Sequence, residues 1–129
     1  MTNIARKGDL FLMSTAVIYS KRTTKVDIDF NKFELEDISP NEVFGLTTVY
    51  FIGPKEPLSK IYPKCESTEI SVEFLTEKPH GCYPCLMISP TKNGTDYSWN
   101  DLYIEDYEAV HKLIDIGLKK LEEIKNVEN

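Results

Sequence analysis

The last part of the chain has the apolar spacing of one long amphipathic helix. Its apolar residues recur at the i, i+3, i+4, i+7 intervals that place side chains on one helical face. They are Tyr107, Val110, Leu113, Ile114, Gly117, Leu118, Leu121 and Ile124. A glycine on this face, Gly117, indicates a close approach to the layer that the helix covers. Because a helix with a one-sided apolar stripe must bury it, the rest of the chain has to supply that layer.

The remainder of the chain is made of short β-prone segments between turn signals. Residues 25–30 alternate strictly between polar and apolar positions, and residues 70–75 alternate up to Phe74, which is typical of half-buried strands. Residues 33–36 alternate again. We expect them to form a hairpin with residues 25–30, and the alternative is a single continuous strand. The sequence therefore predicts an α+β fold, a mostly antiparallel twisted β-sheet packed against one long C-terminal α-helix.

A second hairpin is predicted in the last third of the chain. Asn93 and Gly94 form the dipeptide that favours a two-residue β-turn, and residues 97–104 are expected to be its returning arm. Residues 97, 99, 101 and 103 share a parity, so one face of a continuous strand would carry Tyr97, Trp99 and Tyr103.

Length and composition limit the class of protein. A chain of 129 residues with 41% hydrophobic residues suits one domain, residues 1–129, with a real core. No stretch approaches the ~20 apolar residues that cross a bilayer, and the apolar run at 10–13 is too short for a signal peptide. Three cysteines disfavour a secreted disulfide framework. We expect a cytoplasmic protein.

The charge of the chain bears on its partners. The net charge is −6, and acidic residues outnumber basic ones in residues 67–129. Acidity on this scale disfavours a large nucleic-acid footprint and favours a protein partner with a basic face. A local basic patch of Lys21, Arg22 and Lys25 leaves nucleic-acid binding open as an alternative.

The cysteines and one histidine concentrate in one region. Cys65, His80, Cys82 and Cys85 would supply the three thiolates and one imidazole of a structural zinc site. The alternative is that the thiols are packing residues, since small thiols are commonly buried. Zinc is the one cofactor that the sequence suggests.

Enzymatic motifs are missing from the sequence. There is no Gly-x-Ser-x-Gly element, no phosphate-binding glycine loop, and only two histidines. We expect a non-enzymatic protein.

The aromatic arm is the predicted binding site. Exposed aromatics act as anchors for a protein partner or as a stacking platform for single-stranded bases; alternatively, the row is itself part of the core. The expected binding residues are Tyr97, Trp99, Asp101, Tyr103 and Glu105. The leading hypothesis is a small protein that docks on another protein as an inhibitor, an immunity or antidote protein, or a virus-encoded modulator. The alternatives are a single-stranded nucleic-acid-binding domain and a zinc-stabilised adaptor.

Overall fold

The computed structural model describes most of the chain as a single β-sheet with a long C-terminal helix. The structure describes the backbone of residues 13–18, 24–81, 84–104 and 107–128. It describes the side chains of residues 28–81, 84–102 and 107–126. The strands are β1 (Met13–Ile18), β2 (Thr24–Asp29), β3 (Glu34–Asn41), β4 (Leu46–Gly53), β5 (Ser67–Leu75), β6 (Cys85–Lys92), β7 (Thr95–Asp96) and β8 (Asn100–Ile104). The helices are α1 (Glu56–Ser59) and α2 (Tyr107–Glu128), with a 3-10 turn at Phe30–Lys32.

The strands are joined in the order β2-β1-β8-β6-β5-β4-β3, and β7 pairs with β6. The strand pairs among the described residues are antiparallel. The predicted α+β fold, with its antiparallel sheet and long C-terminal helix, is thus confirmed. Neither helix of the described ranges is long and apolar enough to cross a membrane.

The predicted hairpin of residues 25–30 with residues 33–36 is wrong. β2 pairs with β1, and β3 pairs with β4, so the two segments lie at opposite ends of the strand order. Local alternation shows that each segment is a strand but carries no information about its partner, which long-range packing selects.

The short link between β2 and β3 forces the sheet to curl. In a flat sheet of this order, the edge strands would lie about 29 Å apart at about 4.8 Å per strand. The chain from Asp29 to Glu34 spans at most about 18 Å. The sheet therefore bends so that the end of β2 and the start of β3 approach across a seam. Phe30 and Phe33 belong to the buried core, with ring centroids 6.3 Å apart.

One face of the curled sheet, the inner face, holds the core under α2. In register across the sheet it carries Val49, Val72, Leu86, Ile88 and Leu102, all buried. Helix α2 adds Val110, Leu113 and Ile114. A Cβ at Gly117 would lie 2.5 Å from Cγ2 of Val49. The predicted close approach of the helix at Gly117 is therefore confirmed.

The second predicted hairpin forms, but its returning arm is interrupted. Asn93 and Gly94 have positive φ values of 55° and 75°, as a two-residue turn requires. Thr91 pairs with Asp96, whereas Ile88 pairs with Asn100, so one extra residue lies on the returning side. Residues 97–99 are not in a strand. This bulge reverses the parity between β7 and β8.

Candidate binding face

The face opposite the core, the outer face, is lined with carboxylates. Its positions follow from the register: Asp101 lies opposite Met87, Met87 opposite Ser71, Ser71 opposite Tyr50 and Tyr50 opposite Asp37. On strands β3 to β8, the acidic residues of this face are Glu34, Glu36, Asp37, Glu69, Glu73, Asp96 and Asp101. We call this set the acidic face.

The acidic face receives no basic side chain from its own strands. β3, β4, β5, β7 and β8 contain no lysine or arginine. The one such residue of β6, Lys92, has the parity of the inner-face residue Ile88. Negative charge therefore accumulates on this face of β3 to β8 without a cation from the same strands. The register places Lys25 of β2 on the same face, beyond β1.

Three carboxyl groups of the acidic face meet near one end of the β4–β5 ladder. Burial, hydrogen bonds that Glu69 donates to Asp96 and Glu36, and the charges of both raise the pKa of Glu69 to about 9. Glu36 reaches this point from a bulge, since the β3–β4 register shifts between Leu35 and Asp37. At neutral pH, Glu69 is therefore a protonated carboxylic acid that donates a hydrogen bond within the cluster.

The phenol of Tyr50 lies close enough to the carboxylates of the acidic face to be affected by their charge. Partial burial, followed by the charges of Glu69, Asp37 and Glu73, raises its pKa. Tyr50 accordingly stays a neutral hydrogen-bond donor in the middle of the acidic face.

An exposed aromatic segment borders the acidic face between Asp96 and Asp101. Tyr97 and Trp99 are 43% and 59% exposed. The ring of Tyr97 packs edge-on against Tyr62, with centroids 6.0 Å apart. The hydroxyl of Tyr62 hydrogen-bonds Ser98 and Asn100 at 3.1 Å each, which holds the backbone on both sides of Trp99. Two of the three predicted aromatic anchors are thus on the surface rather than in the core.

The predicted single-face aromatic row differs from the structure. The bulge separates Tyr97 and Trp99 from the register of β8, in which Tyr103 pairs through its backbone with Val17 in the middle of the sheet. The side chain of Tyr103, and Glu105 as a whole, lie outside what the structure describes. Asp101 is exposed on the acidic face, as a binding residue needs to be.

The far end of the acidic face has a second exposed apolar group. The turn between β3 and β4 carries Val43 and Phe44, 86% and 73% exposed. It lies beyond the pairing of Leu46 with Leu75, at the opposite end of the β4–β5 ladder from Asp96. Apolar anchors therefore lie at both ends of the carboxylates.

The described cysteines among the predicted zinc ligands lie far apart. Cys65 is buried just before β5, and Cys85 begins β6, where it pairs with Glu73 near the far end of the same ladder. Ser67 and Glu73 are six positions apart, about 20 Å along the strand. Cys65 and Cys85 therefore cannot bind one ion. Cys82 lies outside the described residues, and His80 contacts α2 instead.

Neither described thiol has the lowered pKa that would make it a reactive nucleophile. Burial raises the pKa of Cys65, whose thiol lies 3.9 Å from the carbonyl oxygen of Lys55. Local desolvation and the charges of Glu73 and Asp101 raise the pKa of Cys85. Both groups are protonated thiols at neutral pH, and such thiols are poor nucleophiles.

The predicted basic patch is only partly described. Lys21 and Arg22 lie outside the described ranges, and Lys25 is placed by its backbone in β2, opposite Val17. The structure instead places Lys64 and Lys92 in a shallow pocket of about 320 Å³ beside Tyr97.

Comparison of the chain with protein-family models, with curated proteins and with solved structures found no match.

Proposed function

We propose that this protein is a non-enzymatic binding protein whose acidic face docks on a basic face of another protein. The observation that carries the proposal is the concentration of carboxylates on strands that contribute no lysine or arginine to that face. Complementary potential of this kind steers a partner into place and sets the register of the complex.

The cluster at Glu69 strengthens the proposal. Three carboxyl groups crowd together, and the raised pKa of Glu69 shows that full ionisation there is unfavourable. An arginine or lysine from a partner would favour the ionised form of Glu69 and make charge-assisted hydrogen bonds with the cluster. Binding a basic group would thus release a proton.

The apolar groups at the two ends supply the anchors. Aromatic side chains that become fully desolvated in an interface are among the few residues that contribute most of its affinity. Trp99 and Phe44 are the most exposed aromatic side chains on the two flanks. We propose that a protein of this kind acts by covering the basic site of its partner, as an inhibitor, an immunity or antidote protein, or a modulator.

The test compares two charge reversals of equal size. Glu73→Lys with Asp101→Lys changes the acidic face, and Glu122→Lys with Glu123→Lys changes exposed positions on α2. Proteins retained from a cell extract by the immobilised wild type are identified, and association rates are measured for those with basic surfaces. We expect the first variant to slow association at least tenfold and to flatten its salt dependence, and the second to act weakly.

A matched pair of truncations tests the anchors. Trp99→Ala should weaken binding of the same partner by about 2 kcal/mol, while Ile116→Ala, at an exposed apolar position of α2, should leave it unchanged. Equal losses in both charge variants, or full affinity after Trp99→Ala, would show that the acidic face and its flank are not the docking site.

The second candidate function is binding of single-stranded nucleic acid, and the pocket of Lys64, Lys92 and Tyr97 favours it. A tyrosine beside two ammonium groups suits a stacked base and its phosphates. Micromolar binding of fluorescent single-stranded oligonucleotides, lost in Lys64→Glu with Lys92→Glu but kept in Lys119→Glu with Lys120→Glu, would select this candidate. The same assay on Lys21→Glu with Arg22→Glu tests the basic patch predicted from sequence.

A further inference from the structure

The two histidines of the chain meet outside the acidic face. His80 lies in the turn after β5, and His111 lies on α2. Nδ1 of His80 is 2.6 Å from Nδ1 of His111, and Nε2 of His80 is 2.8 Å from Oδ1 of Asp115. His111 and Asp115 are four residues apart, so they share one face of the helix.

The carboxylate of Asp115 fixes the tautomer of His80. A carboxylate can only accept a hydrogen bond, so Nε2 of His80 carries the proton. In the neutral ring, Nδ1 of His80 then presents its lone pair to His111. A carboxylate behind the protonated nitrogen and a lone pair in front is the arrangement that orients a metal-binding histidine.

The separation of the two Nδ1 atoms bears on which coordination geometry a bound metal ion would adopt. Two ligand nitrogens at about 2.0 Å from an ion lie about 2.8 Å apart when they are adjacent in a square plane, and about 3.3 Å apart in a tetrahedron. The observed 2.6 Å is the length of a hydrogen bond, in which the protonated Nδ1 of His111 donates to the lone pair of His80. An ion would displace this proton, and the two rings would then open by less for the square plane than for the tetrahedron. Imidazole nitrogens in a tetragonal field suit Cu(II) and Ni(II).

The pair is accessible and leaves room for water in the remaining positions. The side chain of His80 is 41% exposed. No group of three or more potential ligands surrounds one point within the part of the chain that the structure describes. An ion held here would therefore keep open coordination positions, and its affinity would be moderate.

We propose that Nδ1 of His80 and Nδ1 of His111 bind one divalent transition-metal ion of tetragonal preference, with Asp115 as the positioning residue. The ion would join the turn of residues 78–81 to α2. This site differs from the cysteine-based zinc site that the sequence suggested, and it does not depend on the proposed protein partner.

The test is calorimetric titration of the untagged protein with Ni(II) and Cu(II) at neutral pH. We expect one saturable site, bound more tightly by Cu(II) than by Ni(II) or Zn(II). His80→Ala and His111→Ala should each lower the affinity at least tenfold, and Asp115→Asn should lower it about tenfold with both ligands kept. The electron paramagnetic resonance spectrum of the Cu(II) form should show two imidazole nitrogens.

Cys82→Ser and Cys85→Ser serve as controls and should leave the affinity unchanged. Thermal melting without metal verifies that each variant is folded, and His111→Gln replaces His111→Ala if the latter is not. Absence of saturable binding, or binding that persists in the double variant His80→Ala with His111→Ala, would overturn the proposal and leave the two rings as a hydrogen-bonded contact only.

Discussion

At the scale of single residues, Glu69 is the ionisable group whose pKa folding changes most among the residues that the structure describes. Burial and its contacts with Asp96 and Glu36 raise its pKa to about 9, from about 4.3 in an unfolded chain. Between these values the folded protein binds a proton that the unfolded chain has released. Its contribution to stability is therefore complete at acidic pH and is lost as the pH rises towards 9.

Replacement of Glu69 by Gln tests this direction of the pH dependence of stability. The amide keeps a hydrogen-bonding group without a charge, so Glu69→Gln should be more stable than the wild type at pH 9, by about 1 kcal/mol after allowance for solvent screening. At pH 5 the difference should nearly vanish. Urea unfolding at pH 5, 7 and 9 measures it, and Glu73→Gln, exposed on the same strand, is the control. Parallel pH profiles for both variants would contradict the assignment.

Sequence reasoning missed the carboxyl cluster for a physical reason. Glu36 and Glu69 belong to separate alternating segments, and each looks like an ordinary solvated position on the polar side of a strand. They meet only because β3 and β5 flank β4 and because β3 has a bulge at Glu36. The one available signal for the histidine pair was the i, i+4 spacing of His111 and Asp115 on a predicted helix. Nothing local pointed to His80 as their neighbour.

At the scale of elements, helix α2 was predictable because its periodicity is long and local. The bulge between β7 and β8 was not, since a one-residue shift depends on how β8 fits between β6 and β1. The turn at Asn93 and Gly94 was predictable because its positive φ values restrict the residue types. Short-range rules thus located the elements, while their partners and registers depended on contacts distant in sequence.

The close packing of α2 against the sheet predicts how a substitution at Gly117 changes the stability of the protein. Gly→Ala in a helix normally stabilises by about 1 kcal/mol, but a Cβ at Gly117 would lie 2.5 Å from Val49. Gly117→Ala should therefore destabilise the protein by about 1–3 kcal/mol, as measured by urea unfolding. Ile116→Ala, an exposed neighbour, should change the stability by less than about 0.5 kcal/mol. A stabilised Gly117→Ala protein would mean that the helix does not rest on Val49.

At the scale of the whole molecule, curling separates two surfaces of different character. The inner face is apolar and closed by α2, and the outer face is acidic and flanked by exposed apolar groups. The sequence predicted the two layers and the excess of acid, because both follow from periodicity and composition. The strand order, and with it the concentration of acid on one face, required the long-range pairings.

The link that bridges the seam also governs whether strands can be exchanged between copies of the chain. The residues between Asp29 and Glu34 must carry the chain from one edge of the sheet to the other within one molecule, and a shortened hinge favours an open arm that inserts into a second copy. Deleting Asn31 and Lys32, both exposed, should therefore produce an intertwined dimer in which β1 and β2 complete the neighbouring sheet. Light scattering after gel filtration should detect this species, whereas insertion of Gly-Ser at the same point should not produce it. A monomeric deletion variant would show that the shortened link can still span the seam within one molecule.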